Sequence, residues 1–165
     1  MQVAIVLGSK SDLEKIQDTI KTLKEFGVSF DLKIFSAHRA PKDLEKYINN
    51  LTSQTKVVIA AAGMSAALPG VIAAHTILPV IGIPIEAGSL KGMDALLSIV
   101  QMPPGVPVGS MAIGGAKNAA IFAIEILATQ DKKLKNKLIS YKQNLRKACL
   151  QSSLELMPKT QIKKK

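Results

Sequence analysis

Two adjacent residues, His38 and Arg39, carry the clearest chemistry in this chain. A histidine gives and takes a proton near neutral pH. A neighbouring guanidinium is a planar fork suited to a phosphate or a carboxylate. Both sit in Ser36-Ala37-His38-Arg39, directly after an alternating apolar–polar segment. A lone histidine fits a satisfied structural role as well as a catalytic one, so this loop by itself leaves both open. The other histidine, His75, falls in a helix-period segment and reads as structural. A second loop, Gly8-Ser9-Lys10-Ser11-Asp12, runs from an apolar strand into a helix. Free backbone N–H groups and the helix dipole favour an anion there. Ser9 and Ser11 add hydroxyl donors, and Asp12 can accept from a sugar hydroxyl. The loop lacks both the Walker ending and the G-x-G-x-x-G pattern, and plain helix capping by Ser11 and Asp12 is the alternative. A third loop, Gly63-Met64-Ser65-Ala66-Ala67-Leu68-Pro69-Gly70, is small and nearly uncharged. It would let backbone approach a ligand closely, or else form a dry packing turn. Cys149 and the two histidines are too far apart in sequence to suggest a metal site, and no Ser-His-Asp set stands out.

The elements that must position these loops follow from periodicity. Gln2–Leu7 reads as a fully buried strand. Ser11–Phe26 reads as a helix with Leu13, Ile16, Ile20, Leu23 and Phe26 on one face. Its expected N-cap is Ser11, with Glu14 as capping-box partner, and Gly27 ends it. Val28–Phe35 alternates strictly, as a strand buried on one face does. Pro41 opens a second helix bearing Leu44, Tyr47, Ile48 and Leu51. Lys56–Ala62, Leu78–Ile83 and a short Val108–Ile113 read as further strands, with helices over Leu68–Thr76, Met93–Gln101 and Lys117–Thr129. The stretch Ala116–Ala128 is apolar around its whole circumference, which asks for cover on every side. Asp131–Leu156 is a final, basic helix. Strands alternating with helices imply a five-stranded parallel α/β sheet covered on both faces. The edge character of the second strand favours the order 2-1-3-4-5. All three loops then emerge at the carboxyl ends of the first three strands, where such folds bind ligands. One domain over residues 1–156 is expected, with a basic tail at 157–165.

Composition narrows the partners. No apolar run reaches the roughly 18 residues of a membrane helix, and Met1–Leu7 reads as a buried strand rather than a signal peptide. Cys149 is the only cysteine, so no internal disulfide forms and the cytoplasm is the expected compartment. The net charge of +10 suggests nucleic acid until it is located. Residues 1–130 carry 11 basic and 10 acidic side chains, whereas residues 131–165 carry 11 and 2. The excess is thus confined to the C-terminal segment, where a solvated helix explains it. Aromatic residues are 4% of the chain and tryptophan is absent, which leaves little for stacking bases.

Taken in order, the motifs Gly8-Ser9-x-Ser11-Asp12, Ser36-Ala37-His38-Arg39-x-Pro41, Leu68-Pro69-Gly70, Ser98-Ile99-Val100-Gln101-Met102-Pro103 with Gly105-Val106-Pro107-Val108, and Lys117-Asn118-Ala119-Ala120 resemble one family. It is the class I N5-carboxyaminoimidazole ribonucleotide mutase of de novo purine biosynthesis, and the resemblance covers residues 2 to about 130. It implies a three-layer flavodoxin-like subunit with an extra C-terminal helix, assembled as a homo-octamer with sites at subunit junctions. It implies a ribonucleotide substrate and no metal, ATP or organic cofactor, with neither nucleic acid nor membrane as partner. His38 matches the family's general acid/base. Ser9, Asp12 and Arg39 match residues that bind the ribonucleotide. Ser11, Ser36, Ala37, Gly63, Met64, Ser65, Ala67 and Leu68 would complete the pocket. One position departs: Ala67 stands where the family usually has histidine, and Ser65-Ala66-Ala67-Leu68 is similar to the related class II enzymes, which carboxylate aminoimidazole ribonucleotide directly with CO2. Those enzymes usually carry lysine in place of Arg39. The alternatives to the mutase are such a carboxylase, a non-catalytic nucleotide-binding module, or a nucleic-acid binder using the basic tail.

Overall fold

The computed structural model describes Met1–Glu155. Five parallel strands, β1 (Val3–Leu7), β2 (Phe30–Ile34), β3 (Val57–Gly63), β4 (Val80–Ile85) and β5 (Gly109–Ser110), form one sheet in the order β2-β1-β3-β4-β5. The connecting helices are α1 (Gln17–Phe26), α2 (Pro41–Asn49), α3 (Leu68–Ala74), α4 (Met93–Val100) and α5 (Ala116–Ala128). The chain divides into two compact units, one ending at Leu127 and one beginning at Ala128. The second unit is built on α6 (Lys132–Glu155), whose first turn is capped by the Asp131 carboxylate, accepting from the Lys133 and Leu134 N–H groups at 2.8 and 3.0 Å. The expected tail at 157–165, and Leu156 at the end of the expected helix, lie outside the described residues.

The central strands are buried end to end because helices cover both faces. Ala4 and Val6 of β1, Val58, Ala60 and Ala62 of β3 and Val80 of β4 join Leu44 and Ile48 of α2, Leu68 and Ile72 of α3, and Ala95 and Ile99 of α4 in one core layer. The alternate residues Val3, Ile5, Leu7, Val57, Ile59 and Ala61 point to the opposite face. On that side the Thr19 hydroxyl of α1 donates to the Ala116 carbonyl of α5 at 2.7 Å, a buried tie between the two helices. β2 lies at the edge, as its alternation suggests, but its apolar face is not fully buried: Phe30 and Leu32 are half-buried and Ile34 is 44% exposed, because no strand flanks β2 on its outer side.

Two local expectations are corrected. The capping box before α1 is formed by Ser9 and Asp12, not by Ser11 and Glu14. The chain enters the helix through two tight 3-10 turns, Lys10–Asp12 and Glu14–Ile16, which start the cap two residues earlier. The expected strand Val108–Ile113 shortens to Gly109–Ser110. Met111 N–H still donates to Gly82 O, and Gly114 N–H to Pro84 O, both at 2.9 Å. The donors are three residues apart and the acceptors two, so an extra residue breaks the regular ladder between those bonds. Gly27 ends α1 in the left-handed conformation (φ +75°), with its N–H bonded back to Leu23 O and Lys24 O.

Candidate active site

Parallel pairing brings the strand ends level. Leu7 is opposite both Ile34 and Ala61, and Gly63 is opposite Ile85. The loops that follow β1, β2 and β3 therefore open side by side onto a cavity of about 460 Å³. Every residue singled out from the sequence lines it: Ser9, Ser11 and Asp12 from the first loop, Ser36, Ala37, His38 and Arg39 from the second, and Gly63, Met64, Ser65, Ala67 and Leu68 from the third.

The first loop is preorganised by its own hydrogen bonds. The Asp12 carboxylate accepts from Ser9 N–H at 3.0 Å and from the Ser11 hydroxyl at 3.4 Å. The Ser11 hydroxyl also lies 2.9 Å from that of Ser9. Asp12 is buried, with 7% of its surface exposed. Burial pushes its carboxyl above the usual carboxylate range, against the smaller opposing pull of the Ser9 N–H, the Ser11 hydroxyl and the Lys15 charge. A carboxyl held this way at a cavity wall suits a fixed hydroxyl contact on a ligand.

The second loop is a single turn organised by Ser36. Its carbonyl accepts from Ala40 N–H at 2.9 Å and its hydroxyl from Arg39 N–H at 3.3 Å. Pro41 then starts α2 at the next residue, so the turn cannot slide into the helix. This geometry lifts His38 and Arg39 clear of the sheet, both exposed at the cavity. One Arg39 guanidinium nitrogen reaches Gly8 O at 3.4 Å, which lays the fork across the first loop and leaves its other donors for a ligand. Behind the turn, Phe35 packs on Tyr47 with ring centroids 5.3 Å apart. The Tyr47 hydroxyl donates to Asp31 at 3.1 Å, and burial beside that carboxylate holds it well above the usual phenol range.

The third loop supplies an apolar wall. Met64 occupies the left-handed region (φ +56°), a costly conformation for a side chain with a Cβ. It starts a tight turn in which Ala66 N–H bonds Met64 O at 2.8 Å and Ala67 N–H bonds Ser65 O at 2.6 Å. Gly63 suits a close approach, since a Cβ there would meet Ala87 Cβ at 3.0 Å and Ile85 O at 3.3 Å and would press both apart. Ala67 lines this wall with a methyl group and brings no ionisable group.

Four cavity residues were not singled out from the sequence: Gly8, Ala62, Ala66 and Ala87. Gly8 and Ala66 lie inside loops already recognised, and Ala62 is a strand end. Ala87 belongs to a fourth loop, after β4, whose Glu86, Ser89 and Lys91 do not line the cavity, so only a methyl group represents the loop there. Its only signal is its place beside β3 in the strand order. His75 lies outside this cavity, with Nδ1 4.0 Å from the Glu45 carboxylate. Among the described residues no three His, Cys, Asp or Glu side chains gather into a metal-binding group. Among the same residues no helix is long and apolar enough to cross a membrane.

Residues 2–148 match the AIR carboxylase family. The N5-carboxyaminoimidazole ribonucleotide mutase of Pyrococcus abyssi is 46% identical over 147 residues, which cover 88% of this chain and 84% of that protein. The protein of the same name from Saccharolobus solfataricus is 45% identical over 155 residues, covering 93% and 98%. The crystal structure of Treponema denticola PurE aligns with a TM-score of 0.87 at 27% identity, over 95% of this chain and 99% of that one. With the sheet order, the three-loop cavity and these matches in agreement, the chain belongs to the AIR carboxylase family.

Proposed function

We propose that this chain is an N5-carboxyaminoimidazole ribonucleotide mutase, an isomerase of purine biosynthesis. It moves a carboxylate from the exocyclic nitrogen of the aminoimidazole ribonucleotide to ring carbon four. The observation that carries this reading is the extent of the similarity: 45% identity to a protein of that name runs through 98% of its length.

The cavity suggests how the work is divided. The Arg39 fork and the N–H and hydroxyl groups of the first loop hold the phosphate and ribose, with Asp12 accepting from a sugar hydroxyl. Held so, the ring lies beside His38. His38 donates a proton to the carbamate nitrogen as the N–C bond breaks and CO2 departs. The wall from Gly63 to Leu68 keeps water out and CO2 in. Carbon four attacks the trapped CO2, and His38 removes the proton from that carbon. The proton given to nitrogen is thereby recovered from carbon, so the histidine ends as it began. An imidazole both donates and accepts a proton, so one side chain serves both directions.

Around this reaction we place residues 1–156 as one catalytic domain with a basic tail at 157–165, in a cytoplasmic homo-octamer. The proposed ligand is a small ribonucleotide, without cofactor, metal, nucleic acid or membrane. The exposed apolar side chains Met93, Leu97 and Val100, spaced four and three apart on α4, support a self-association surface. Turnover of the carbamate ribonucleotide without added bicarbonate tests the activity. No carboxyl shift in that assay sinks it, and strict dependence on bicarbonate with the uncarboxylated ribonucleotide replaces it with direct carboxylation. Light scattering at micromolar concentration tests the assembly, which a monomer would contradict.

A further inference from the structure

We infer that Lys15 is a positioning residue for the substrate cavity, tying the wall at Glu86 and Ala87 to the loop that carries Asp12. Lys15 stands one turn beyond Asp12, in the 3-10 turn Glu14–Ile16. Its Nζ donates to the carbonyl oxygen of Glu86, 71 residues away at the carboxyl end of β4. β1 and β4 are not neighbours, because β3 lies between them. A long side chain is therefore needed to join the loops that follow them, and lysine has that reach.

The joined segment has few restraints of its own. Between Glu86 and Met93 three residues, Gly88, Lys91 and Gly92, hold positive φ. Within it the Lys91 N–H to Gly88 O contact is long, at 3.4 Å. A Cβ on Gly88 would meet nothing within 4 Å. Glu86, in contrast, is gripped from two sides. The Gly92 backbone backs it, since a Cβ on Gly92 would fall 3.1 Å from Glu86 Cα, and Lys15 holds its carbonyl. The next residue, Ala87, lines the cavity and touches the third loop where Gly63 lacks a Cβ. The same ammonium lies close enough to Asp12 to act on its carboxylate. One cation thus fixes two cavity walls that the strand order alone would leave independent. The effect on substrate rests on the proposed mutase activity, whereas the tether itself does not.

The experiment compares wild type, Lys15→Met and Lys15→Arg. Methionine keeps the apolar stem and removes the charge, while arginine restores a cationic donor of similar reach. Amide hydrogen exchange is followed over residues 86–91, and turnover of the carbamate ribonucleotide is measured alongside. In Lys15→Met, exchange over 86–91 should quicken about tenfold. KM should rise about threefold to tenfold with kcat within about twofold, because a misplaced wall weakens ground-state and transition-state binding alike. Lys15→Arg should return both towards wild type. Unchanged exchange in Lys15→Met overturns the tether. Faster exchange with unchanged KM overturns its role in holding the cavity. A wild-type protein that leaves the carbamate ribonucleotide untouched sinks the proposed activity instead, and the exchange data then decide the tether alone.

Discussion

Gly82 is the residue where the packing of the helical layer can be tested most directly. It sits in the middle of β4 on the face that carries α3 and α4. A Cβ there would lie 2.5 Å from Ile99 Cγ2, 3.2 Å from Val108 Cγ1 and 3.4 Å from Pro69 Cβ. Ile99 is fully buried, and a β-branched side chain in a helix has essentially one χ1 well, so it cannot swing aside. Gly82→Ala must then push α4 off the sheet or force Ile99 off its rotamer, which costs about 1–3 kcal/mol. The lost freedom of the unfolded chain offsets about 0.4–1 kcal/mol of this. Subtraction leaves about 0–2.6 kcal/mol, and the 2.5 Å approach to Ile99 places Gly82→Ala in the upper half of that range, a fall in Tm of roughly 3–10 °C for a chain of this size. Scanning calorimetry at matched protein concentration reads it, since any assembly makes Tm depend on concentration. An unchanged or raised Tm would refute the close approach of α4 to β4.

Three further outcomes concern the cavity. His38→Asn should lower kcat by about 10²–10⁴-fold while leaving Tm unchanged, because the side chain is exposed; near wild-type turnover would remove His38 from the chemistry. Arg39→Ala should weaken the ribonucleotide by about tenfold or more and its dephosphorylated analogue much less, since a charged hydrogen bond is worth about 1.5–3 kcal/mol; equal losses in a calorimetric titration would show that Arg39 does not hold the phosphate. For Asp12 the raised carboxyl means that the folded state holds its proton more tightly than the unfolded chain does. The stabilising contribution is therefore full below about pH 3.9 and is lost as pH rises through the raised folded value. Asp12→Asn lacks this loss, so its urea midpoint should gain on that of wild type as pH rises from about 3.9, and a pH-independent difference would contradict the burial argument.

The central strands β1, β3 and β4 are legible as apolar runs of ordinary length, and the alternation of β2 marks it as an edge strand. What could not be read was geometry that no side chain announces. Nothing in Gly8-Ser9-Lys10-Ser11-Asp12 distinguishes an α-helical start at Ser11 from the 3-10 turns that put the cap on Ser9. The fifth strand looked longer because Val108 and Ile113 are β-formers, yet only Gly109 and Ser110 keep the ladder. Phe122 lies over that site, with its ring 3.1 Å from where a Gly109 Cβ would be, so a side chain there would require the ring to shift. The three chemical loops stood out by residue type. The fourth did not, because Ala87 contributes a methyl group and a backbone position, and Lys15 acts through a carbonyl oxygen that every residue possesses.

The strand order itself explains why residues so far apart in sequence meet. Adjacent strands lie about 4.8 Å apart, so the ends of β2, β1, β3 and β4 span roughly 15 Å. That is the scale of a mononucleotide lying across the sheet edge. Parallel pairing makes every one of these ends a carboxyl end, and each is followed by a turn into a helix. The order β2-β1-β3 places the cationic turn of Arg39 on one side of the Gly8–Asp12 loop and the apolar turn of Met64 on the other. The cavity therefore runs from the guanidinium of Arg39 at one end to an uncharged wall at the other. His38 is carried on the same side as Arg39, within a turn of its own, and stands exposed at the cavity rather than buried in the sheet. An order with β2 beyond β3 would have set Arg39 against the Met64 turn and separated it from Gly8, whose carbonyl now orients the guanidinium. The path of the chain through the sheet thus determines which loop brings a guanidinium to the cavity and which one supplies its apolar wall.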